Sequence, residues 1–182
     1  MDIISGLDNG ISVFDMLNGI KDYDDATFAH SINVSLICNI LAKWIGMNDD
    51  EIHLATQCGL FHDVGKVAIP VEVLTKPRKL TKEEYDIVKT HTTRGYRILQ
   101  NYDFLPEEVK LCALMHHERC DGSGYPFGLY ASDIDDYASI IAVADVYDAM
   151  TADRCYRLGL CPFEVIAQFE QEGLQRYKPR YI

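Results

Sequence analysis

The chain has 182 residues, 48% of them hydrophobic and 25% charged, which is typical of one globular domain and not of a disordered segment. Its formal charge of −11 at pH 7 argues against a DNA- or RNA-binding protein, because such binding depends on Lys and Arg neutralising phosphates. No stretch approaches the roughly 20 apolar residues of a membrane span, and the acidic start is unlike a secretory signal. Because the six cysteines include no C-x-x-C pair, no disulfide framework is expected, and we predict a cytoplasmic protein without membrane insertion.

The first predicted helix, which ends at Gly46, carries an apolar residue at every fourth position. This spacing places those residues on one side of a helix and predicts that this side is buried. The residues at this spacing are Phe28, Ile32, Leu36, Ile40 and Trp44, and Ile37, Leu41 and Ile45 beside them widen the predicted stripe.

Capping signals and composition predict further helices along the chain. Asn48 and Asp49 offer a cap for a helix from about Ile52 towards His62, and a capping box at Thr81–Glu84 begins another. Pro106 suits the first turn of the next helix, the run SIIAVADVYDAM indicates a buried one, and Cys161–Pro162 precedes the last. Because no segment alternates for long enough to form a sheet, the predicted class is all-α.

Five of the six histidines interrupt or end apolar helical patterns. A lone histidine on an apolar face is more often a hydrogen-bonded core residue than a ligand, and this alternative stays open for His30 and His91. It explains less well the pairs His62–Asp63 and His116–His117, each of which follows an apolar helix. Polar groups near a core are unfavourable unless a partner satisfies them, and a metal ion is such a partner.

Asp145 lies within the apolar run SIIAVADVYDAM, with no Lys or Arg within one turn. A buried salt bridge or a helix–helix contact is the structural alternative, but metal coordination fits this carboxylate better. Asp148, one turn later, is either exposed or a neighbour of Asp145.

The candidate ligands are imidazoles and carboxylates without a thiolate, which disfavours a structural zinc site and suits iron, manganese or a catalytic zinc. They are too many for one four-coordinate ion, whereas two ions sharing Asp63 would use them all. Paired ions are suited to displacement at phosphorus. The sequence therefore predicts a dinuclear phosphoester hydrolase.

Several ordered motifs resemble one known family. HDVGK at 62–66, with His30 upstream and Asp145 downstream, is similar to the HD phosphohydrolase superfamily. HHERCDGSGYP at 116–126 resembles the extended signature of its HD-GYP branch, as do H-x-x-x-G from His91 and VADVYDAMTADRCYR at 143–157. The resemblance covers roughly residues 20 to 180.

The resemblance implies a single HD-GYP domain over 1–182, a helical bundle around a dinuclear metal centre. Its core is expected over about 20–160, with an N-terminal helix or linker remnant at 1–20 and a C-terminal helix and tail at 161–182. The implied activity is hydrolysis of cyclic di-GMP to pGpG and/or GMP through a metal-bridging hydroxide. Two divalent ions are expected, with Fe or Mn favoured and Zn or others as alternatives.

The resemblance also assigns residues. One ion takes His30, His62, Asp63 and Asp145, and the second takes Asp63, His91, His116 and His117. Lys66 and Asp63 are the expected catalytic residues, with Lys66 reaching a scissile phosphate oxygen. Some members hold a third ion through a Glu where this chain has Ala26, so two ions are predicted here. The expected substrate-binding residues are Lys66, Arg119, Tyr125, Arg154 and Arg157.

Several alternatives stay open from the sequence. The arginines suit a phosphate or a guanine edge, but surface salt bridges explain them equally well, and Tyr125 stacks on a base or packs beneath its loop. A different HD-type activity, on another cyclic dinucleotide or a nucleotide, is one rival function. The other is a largely non-catalytic module whose GYP loop, DGSGYPFG at 121–128, docks a GGDEF-type diguanylate cyclase, as the family resemblance implies.

Overall fold

The structure is a computed structural model that describes residues 18–152 and 158–182. The described part of helix α1 is 18–23. The later helices are α2 Asp25–Trp44, α3 Asp49–Phe61, α4 Val71–Leu74, α5 Lys82–Lys89, α6 His91–Leu99, α7 Glu107–Met115, α8 Asp136–Thr151, α9 Pro162–Gln168 and α10 Leu174–Arg176. Turns of 3-10 helix cover Val64–Ala68 and Pro179–Tyr181, and a π-helical turn at Phe169–Gly173 joins α9 to α10.

The described residues confirm the predicted all-α class, since their β pairing is limited to one bridge between Asp121 and Tyr130. Helix α2 packs along α3 and α8, and α7 packs against α3, α6 and α8. The 3-10 turn after α3 packs against α6. None of the helices in the described part of the chain combines the length and apolarity needed to cross a membrane.

The helix starts follow the predicted capping signals. Asn48 and Glu51 form a reciprocal capping box at the start of α3, and Thr81 and Glu84 form another at α5. Each box satisfies two backbone N–H groups that have no partner within the helix. Gly46, with φ of 78°, follows the C-cap of α2, a conformation that glycine adopts without the Cβ clash of other residues.

The predicted burial of the apolar stripe on α2 is wrong for three of its members. Leu36, Ile40 and Trp44 are 57%, 46% and 79% exposed. The buried side of α2 carries smaller residues: Thr27, Ser31, Val34, Ser35, Cys38 and Ala42. Small residues are needed there because α3 approaches closely, and a Cβ added to Gly59 would lie 2.9 Å from Ser35 Cα. Helix proximity, which the period alone does not reveal, therefore decides which side is buried.

The core lies between α2, α3, α7 and α8. Helix α8 is the most buried of them, with a continuous buried run from Ala138 to Ala144. Cys38, Cys58 and Cys112 are fully buried free thiols, one on each of the other three helices.

A candidate dinuclear metal centre

Asp63 lies at the centre of the candidate site, directly after α3, and its two carboxylate oxygens face different histidines. Oδ2 lies 3.4 Å from His62 Nε2 and 3.6 Å from His30 Nε2. Oδ1 lies 3.3 Å from His91 Nε2 and 3.8 Å from His116 Nε2. One buried carboxylate thus contacts two groups of imidazoles.

The first group, here called the carboxylate-rich group, consists of His30, His62, Asp63 and Asp145. Ligand atoms of His30, His62 and Asp63 lie within 4.8 Å of one another. Asp145 joins them through Oδ1, which lies 3.0 Å from His30 Nε2. Helices α2 and α8 and the end of α3 therefore bring together all four residues that the resemblance assigned to one ion.

The second group, here called the imidazole group, consists of His91, His116 and His117, whose ligand atoms also lie within 4.8 Å of one another. His91 begins α6, and the other two follow α7. The remaining oxygen of Asp145 lies 3.9 Å from His117 Nδ1. Asp145 therefore contacts both groups, as Asp63 does.

Four of the histidines are oriented by acceptors at Nδ1, which leaves Nε2 directed into the site. The Nδ1 donors and their acceptors are His30 with Asp148 Oδ2 (2.6 Å), His62 with Gly59 O (2.6 Å), His91 with Val88 O (2.7 Å) and His116 with Cys112 O (3.1 Å). A carbonyl or carboxylate on one ring nitrogen fixes the tautomer of a metal-ligating histidine. When such a ring is neutral, its lone pair lies at Nε2.

These lone pairs make the site suitable for cations. His91 Nε2 and His116 Nε2 face each other at 3.2 Å, although both rings donate their Nδ1 protons to backbone carbonyls. His62 Nε2 and Asp63 Oδ1 are buried without a hydrogen-bond partner. Buried acceptors that face acceptors are unfavourable unless a proton or a cation lies between them. The donor set therefore fits divalent ions that accept nitrogen and oxygen ligands.

The histidines of the two groups differ in the direction in which their pKa values are shifted. Burial lowers the pKa of His91 and His116, and it lowers that of His117 to about 3, so these imidazoles are neutral at pH 7. Burial also disfavours a charged His30, but hydrogen bonds with Asp145 and Asp148 outweigh it and raise its pKa to about 9.

Both carboxylates of the site are held ionised. Burial alone would raise the pKa of Asp63, but Lys66 and His62 lower it well below its ordinary value. Burial would likewise raise the pKa of Asp145, but the hydrogen bond from His30 and the nearby His117 lower it. Metal ligation requires ionised carboxylates and neutral imidazoles, so both carboxylates and the three histidines of the imidazole group are already in that state, whereas His30 must lose a proton to bind an ion.

Glycines fix the turn that carries His62 and Asp63. A Cβ on Gly65 would lie 1.9 Å from His91 O and 2.5 Å from the backbone N of Gly95. The chain of this 3-10 turn therefore touches the first turn of α6, which holds His91. The glycines of HDVGK and of H-x-x-x-G meet at this contact, which brings Asp63 and His91 close together.

Lys66, one turn after Asp63, reaches back to the site. Its Nζ lies 2.5 Å from Asp63 Oδ2, and its side chain is 23% exposed. The ammonium is thus at the boundary between the buried centre and solvent, where it can also approach a bound anion.

In the structure the GYP loop extends to residue 130, where Tyr130 forms a β-bridge with Asp121. Glu118 holds this loop next to the site. This buried carboxylate accepts hydrogen bonds from Phe127 N (2.7 Å) and Leu129 N (2.9 Å). Gly124 lies against it, since an added Cβ would be 2.4 Å from Glu118 Cα. The loop therefore packs onto the turn that follows His116 and His117.

Tyr125 of the GYP loop lies against the imidazole group. Its ring stacks on His117, with centroids 4.6 Å apart and an interplanar angle of 26°, and it lies edge-on to His91 at 6.4 Å. Burial raises its pKa, so the phenol is neutral. Tyr125 thus covers a candidate ligand and is itself only half-buried.

The predicted substrate-binding arginines differ in their positions. Arg119 is buried, donates to His116 O (3.1 Å) and Glu118 O (2.7 Å), and lies 5.1 Å from the ring centroid of Tyr177. These contacts give it a role in holding the turn after α7. Arg154 and Arg157 lie outside the described residues.

Sequence reasoning missed two residues of the site. Asp148 is buried and orients His30, and its spacing of three residues from Asp145 on α8 was the available signal. Glu118, in the run HHE, had no local signal, because its partners are nine and eleven residues further along the chain.

Curated proteins similar to this chain are phosphodiesterases by name. The chain is 40% identical to the cyclic di-GMP phosphodiesterase PA4108 of Pseudomonas aeruginosa, over 84% of this chain and 37% of the relative. It is 39% identical to the 3'3'-cGAMP-specific phosphodiesterase 2 of Vibrio cholerae, over 93% of this chain and 33% of that protein. The chain thus spans less than half the length of these relatives.

A solved structure supports the same fold. The HDG"Y"P protein Bd1817 of Bdellovibrio bacteriovorus matches with a TM-score of 0.70 and 22% identity, over 84% of this chain and 48% of that one. At this identity the likeness concerns the fold alone.

The model of the HD domain family matches residues 16–181, nearly the whole chain. The helical bundle, the histidines and aspartates gathered at its centre and this match confirm the resemblance found in the sequence. The chain belongs to the HD domain family.

Proposed function

We propose that the chain is a divalent-metal-dependent phosphodiesterase that hydrolyses cyclic di-GMP to pGpG and/or GMP. The observation that carries this proposal is the position of Asp63, whose two oxygens face the carboxylate-rich and the imidazole groups. A carboxylate shared between two sets of buried ligands suits a pair of ions. The names of the relatives supply the substrate class.

The proposed ligand sets follow the two groups. One ion is held by His30, His62, Asp63 and Asp145, and the other by Asp63, His91, His116 and His117. A pair of bound divalent cations supplies an activated water and Lewis-acid stabilisation of phosphate oxygens. Fe and Mn are favoured because both accept nitrogen and oxygen ligands, and Zn remains an alternative.

The chain's own residues supply binding and orientation. Lys66 places a positive charge beside Asp63, where it can bind a phosphate oxygen and stabilise the charge that develops there. Asp148 orients His30, and the backbone carbonyls orient the other rings. Tyr125 and the GYP loop form the wall next to His117. Arg154 and Arg157 remain proposed contacts for the substrate's second half.

Metal analysis coupled to a turnover assay tests this proposal. Anaerobically purified protein is expected to contain about two metal ions per chain and to convert cyclic di-GMP to pGpG or GMP. A His62→Ala, Asp63→Ala double variant is expected to lose both, whereas His53→Ala, an exposed histidine on α3, serves as the matched control. One ion or none per chain would contradict the ligand assignment.

The substrate needs a panel, because relatives of nearly equal identity are named for cyclic di-GMP and for 3'3'-cGAMP. We expect the highest kcat/KM for cyclic di-GMP among the two cyclic dinucleotides and a mononucleotide phosphodiester. A higher kcat/KM for 3'3'-cGAMP would instead indicate a 3'3'-cGAMP phosphodiesterase. Turnover of the mononucleotide alone would contradict a cyclic dinucleotide phosphodiesterase.

A docking role for the GYP loop is a second proposal, supported by two exposed aromatic residues. Phe127 and Tyr130 are 61% and 63% exposed, although Glu118 fixes the backbone between them. A GGDEF-type diguanylate cyclase is the proposed partner. In a binding titration, a Phe127→Ala, Tyr130→Ala variant is expected to lose affinity for the cyclase, and unchanged affinity would contradict this role.

A further inference from the structure

Two side chains of α5 extend the rings of the site towards solvent. Tyr85 and Tyr125 lie edge to face, with centroids 6.4 Å apart at 81°. Lys89 Nζ lies 5.3 Å from the centroid of Tyr85 and 6.0 Å from that of Tyr125. Because Tyr125 stacks on His117, a continuous row of side chains leads from the imidazole group to α5.

Packing does not account for this row. Helix α5 contributes no buried residue to the fold, and Tyr85 is 47% exposed. Lys89 pairs with Asp86 on the same helix at 2.6 Å, and their side chains are 33% and 51% exposed. An exposed i,i+3 ion pair of this kind is weakly held, so a phosphate can replace Asp86 as the partner of the ammonium.

An aromatic ring and an ammonium side by side match the chemistry of a nucleotide. Bases stack on tyrosine whatever their sequence identity, because every base has a π-face. A lysine ammonium binds phosphate as a point charge. A cyclic dinucleotide has two phosphates in one ribose–phosphate ring, and each ribose of that ring carries a base. When one phosphate lies at the ion ligands, the other nucleotide must lie against a neighbouring surface.

We propose that Tyr85 and Lys89 bind the half of a cyclic dinucleotide that is not cleaved. Tyr85 stacks on a purine base, and Lys89 pairs with the second phosphate. This inference rests on the proposed function, because it needs the scissile phosphate at the carboxylate-rich and imidazole groups. It identifies α5 as a determinant of substrate specificity that lies outside the ion ligands.

Kinetics on two substrates tests this role. The metal-loaded wild-type protein and the variants Tyr85→Ala and Lys89→Ala are assayed with cyclic di-GMP and with bis(p-nitrophenyl) phosphate, which has no second phosphate and no purine. Each variant is expected to raise KM for cyclic di-GMP about tenfold. The ratio of kcat/KM for cyclic di-GMP to that for the small ester is expected to fall by a similar factor.

Two further variants separate specific binding from damage to the fold. Tyr85→Phe keeps the ring and is expected to stay within about threefold of the wild-type KM, since stacking needs only the π-face. Lys43→Ala removes an exposed lysine at the far end of α2 from His30 and should leave the substrate ratio unchanged. Melting temperatures of all variants establish that each is folded.

The outcomes distinguish this inference from the proposed function. Turnover of cyclic di-GMP by the wild type, with KM of both alanine variants within twofold, would overturn the role of Tyr85 and Lys89 alone. Cleavage of the small ester without cyclic di-GMP turnover would contradict the proposed function. In that case, isothermal titration of the same variants with cyclic di-GMP decides the binding role: equal dissociation constants overturn it, and tenfold weaker binding supports it.

Discussion

The two histidine groups meet at Asp63 but differ in their surroundings. The carboxylate-rich group has Asp145 and, behind His30, Asp148, and these acids raise the pKa of His30 to about 9. The imidazole group has backbone carbonyls behind His91 and His116. Its imidazoles have lowered pKa values because burial dominates there.

This difference shows how one fold can offer two unequal cation sites. Negative charge near a site increases its attraction for a cation, whereas neutral imidazoles contribute softer nitrogen donors without added charge. We therefore expect the two ions to bind with different affinities, and the tighter ion to occupy the carboxylate-rich group. Asp63 should be the residue on which both depend.

Asp63→Asn should have the largest effect, because it removes the charge shared by both groups. We expect kcat/KM for cyclic di-GMP to fall at least about a thousandfold, since the stabilisation that a metal pair supplies amounts to several kcal/mol. Metal content should fall below one ion per chain. Asp103→Asn changes an exposed aspartate and is the control. If the Asp63→Asn variant retained two ions per chain, binding of the ions would not depend on a charge that the two groups share.

Single histidine variants test whether the groups are separate. His30→Ala and His116→Ala should each reduce the metal content from about two ions to about one, as measured by elemental analysis. Activity should fall roughly a hundredfold or more in both, because either ion alone lacks the paired stabilisation. If either variant lost both ions, the two groups would form one cooperative site and would not bind their ions separately. His53→Ala again provides the control.

Asp148→Asn should affect the carboxylate-rich group alone. Replacing a carboxylate that orients a ligating histidine typically reduces metal affinity or activity about 10- to 100-fold. We expect the affinity of one ion to fall by that factor and that of the other to stay unchanged in a metal titration. Asp136→Asn, an exposed aspartate on the same helix, is the matched control. Equal loss at both ions would contradict a role confined to His30.

Glu118→Gln should have the smallest effect and acts on the imidazole side, through the GYP loop. The amide group cannot accept both backbone N–H bonds, so the free energy of unfolding should fall by about 1–3 kcal/mol. Displacement of Tyr125 beside His117 should reduce kcat/KM roughly tenfold or less. Chemical denaturation and steady-state kinetics measure the two effects. Glu83→Gln, exposed on α5, should change neither.

The parts of the fold that depend on neighbours in sequence were predictable. The capping residues Asn48 and Thr81 were identified because their partners lie within four residues, although α3 begins directly after Asn48 and not near Ile52 as expected. The exposed members of the apolar stripe, among them Trp44, were assigned to the wrong side, because the close approach of Gly59 to α2 is a contact between helices. Local periodicity carries no information about such distances.

The residues of the candidate site likewise fall into those that could be predicted from the local sequence and those that could not. Residue type and motif order identified seven candidate ligands, and the structure brings them around Asp63, although their roles as ligands remain predictions. Asp148 and Glu118 act through partners far along the chain, so their importance was not visible locally. Tyr85 and Lys89 carry no motif of their own, and their position beside Tyr125 is a contact between α5 and the GYP loop that the local sequence does not reveal.

The spread of the candidate ligands over separate helices has a consequence for the order of events in folding. His30 and the carboxylate that orients it are 118 positions apart, and the remaining candidate ligands are spread over the chain between them. Closing loops of this length is entropically unfavourable before the helices have docked. We therefore expect cations to bind late in folding, to a helical bundle that has already assembled, and to stabilise that bundle once it has formed. An isolated fragment of the chain is not expected to bring these residues together.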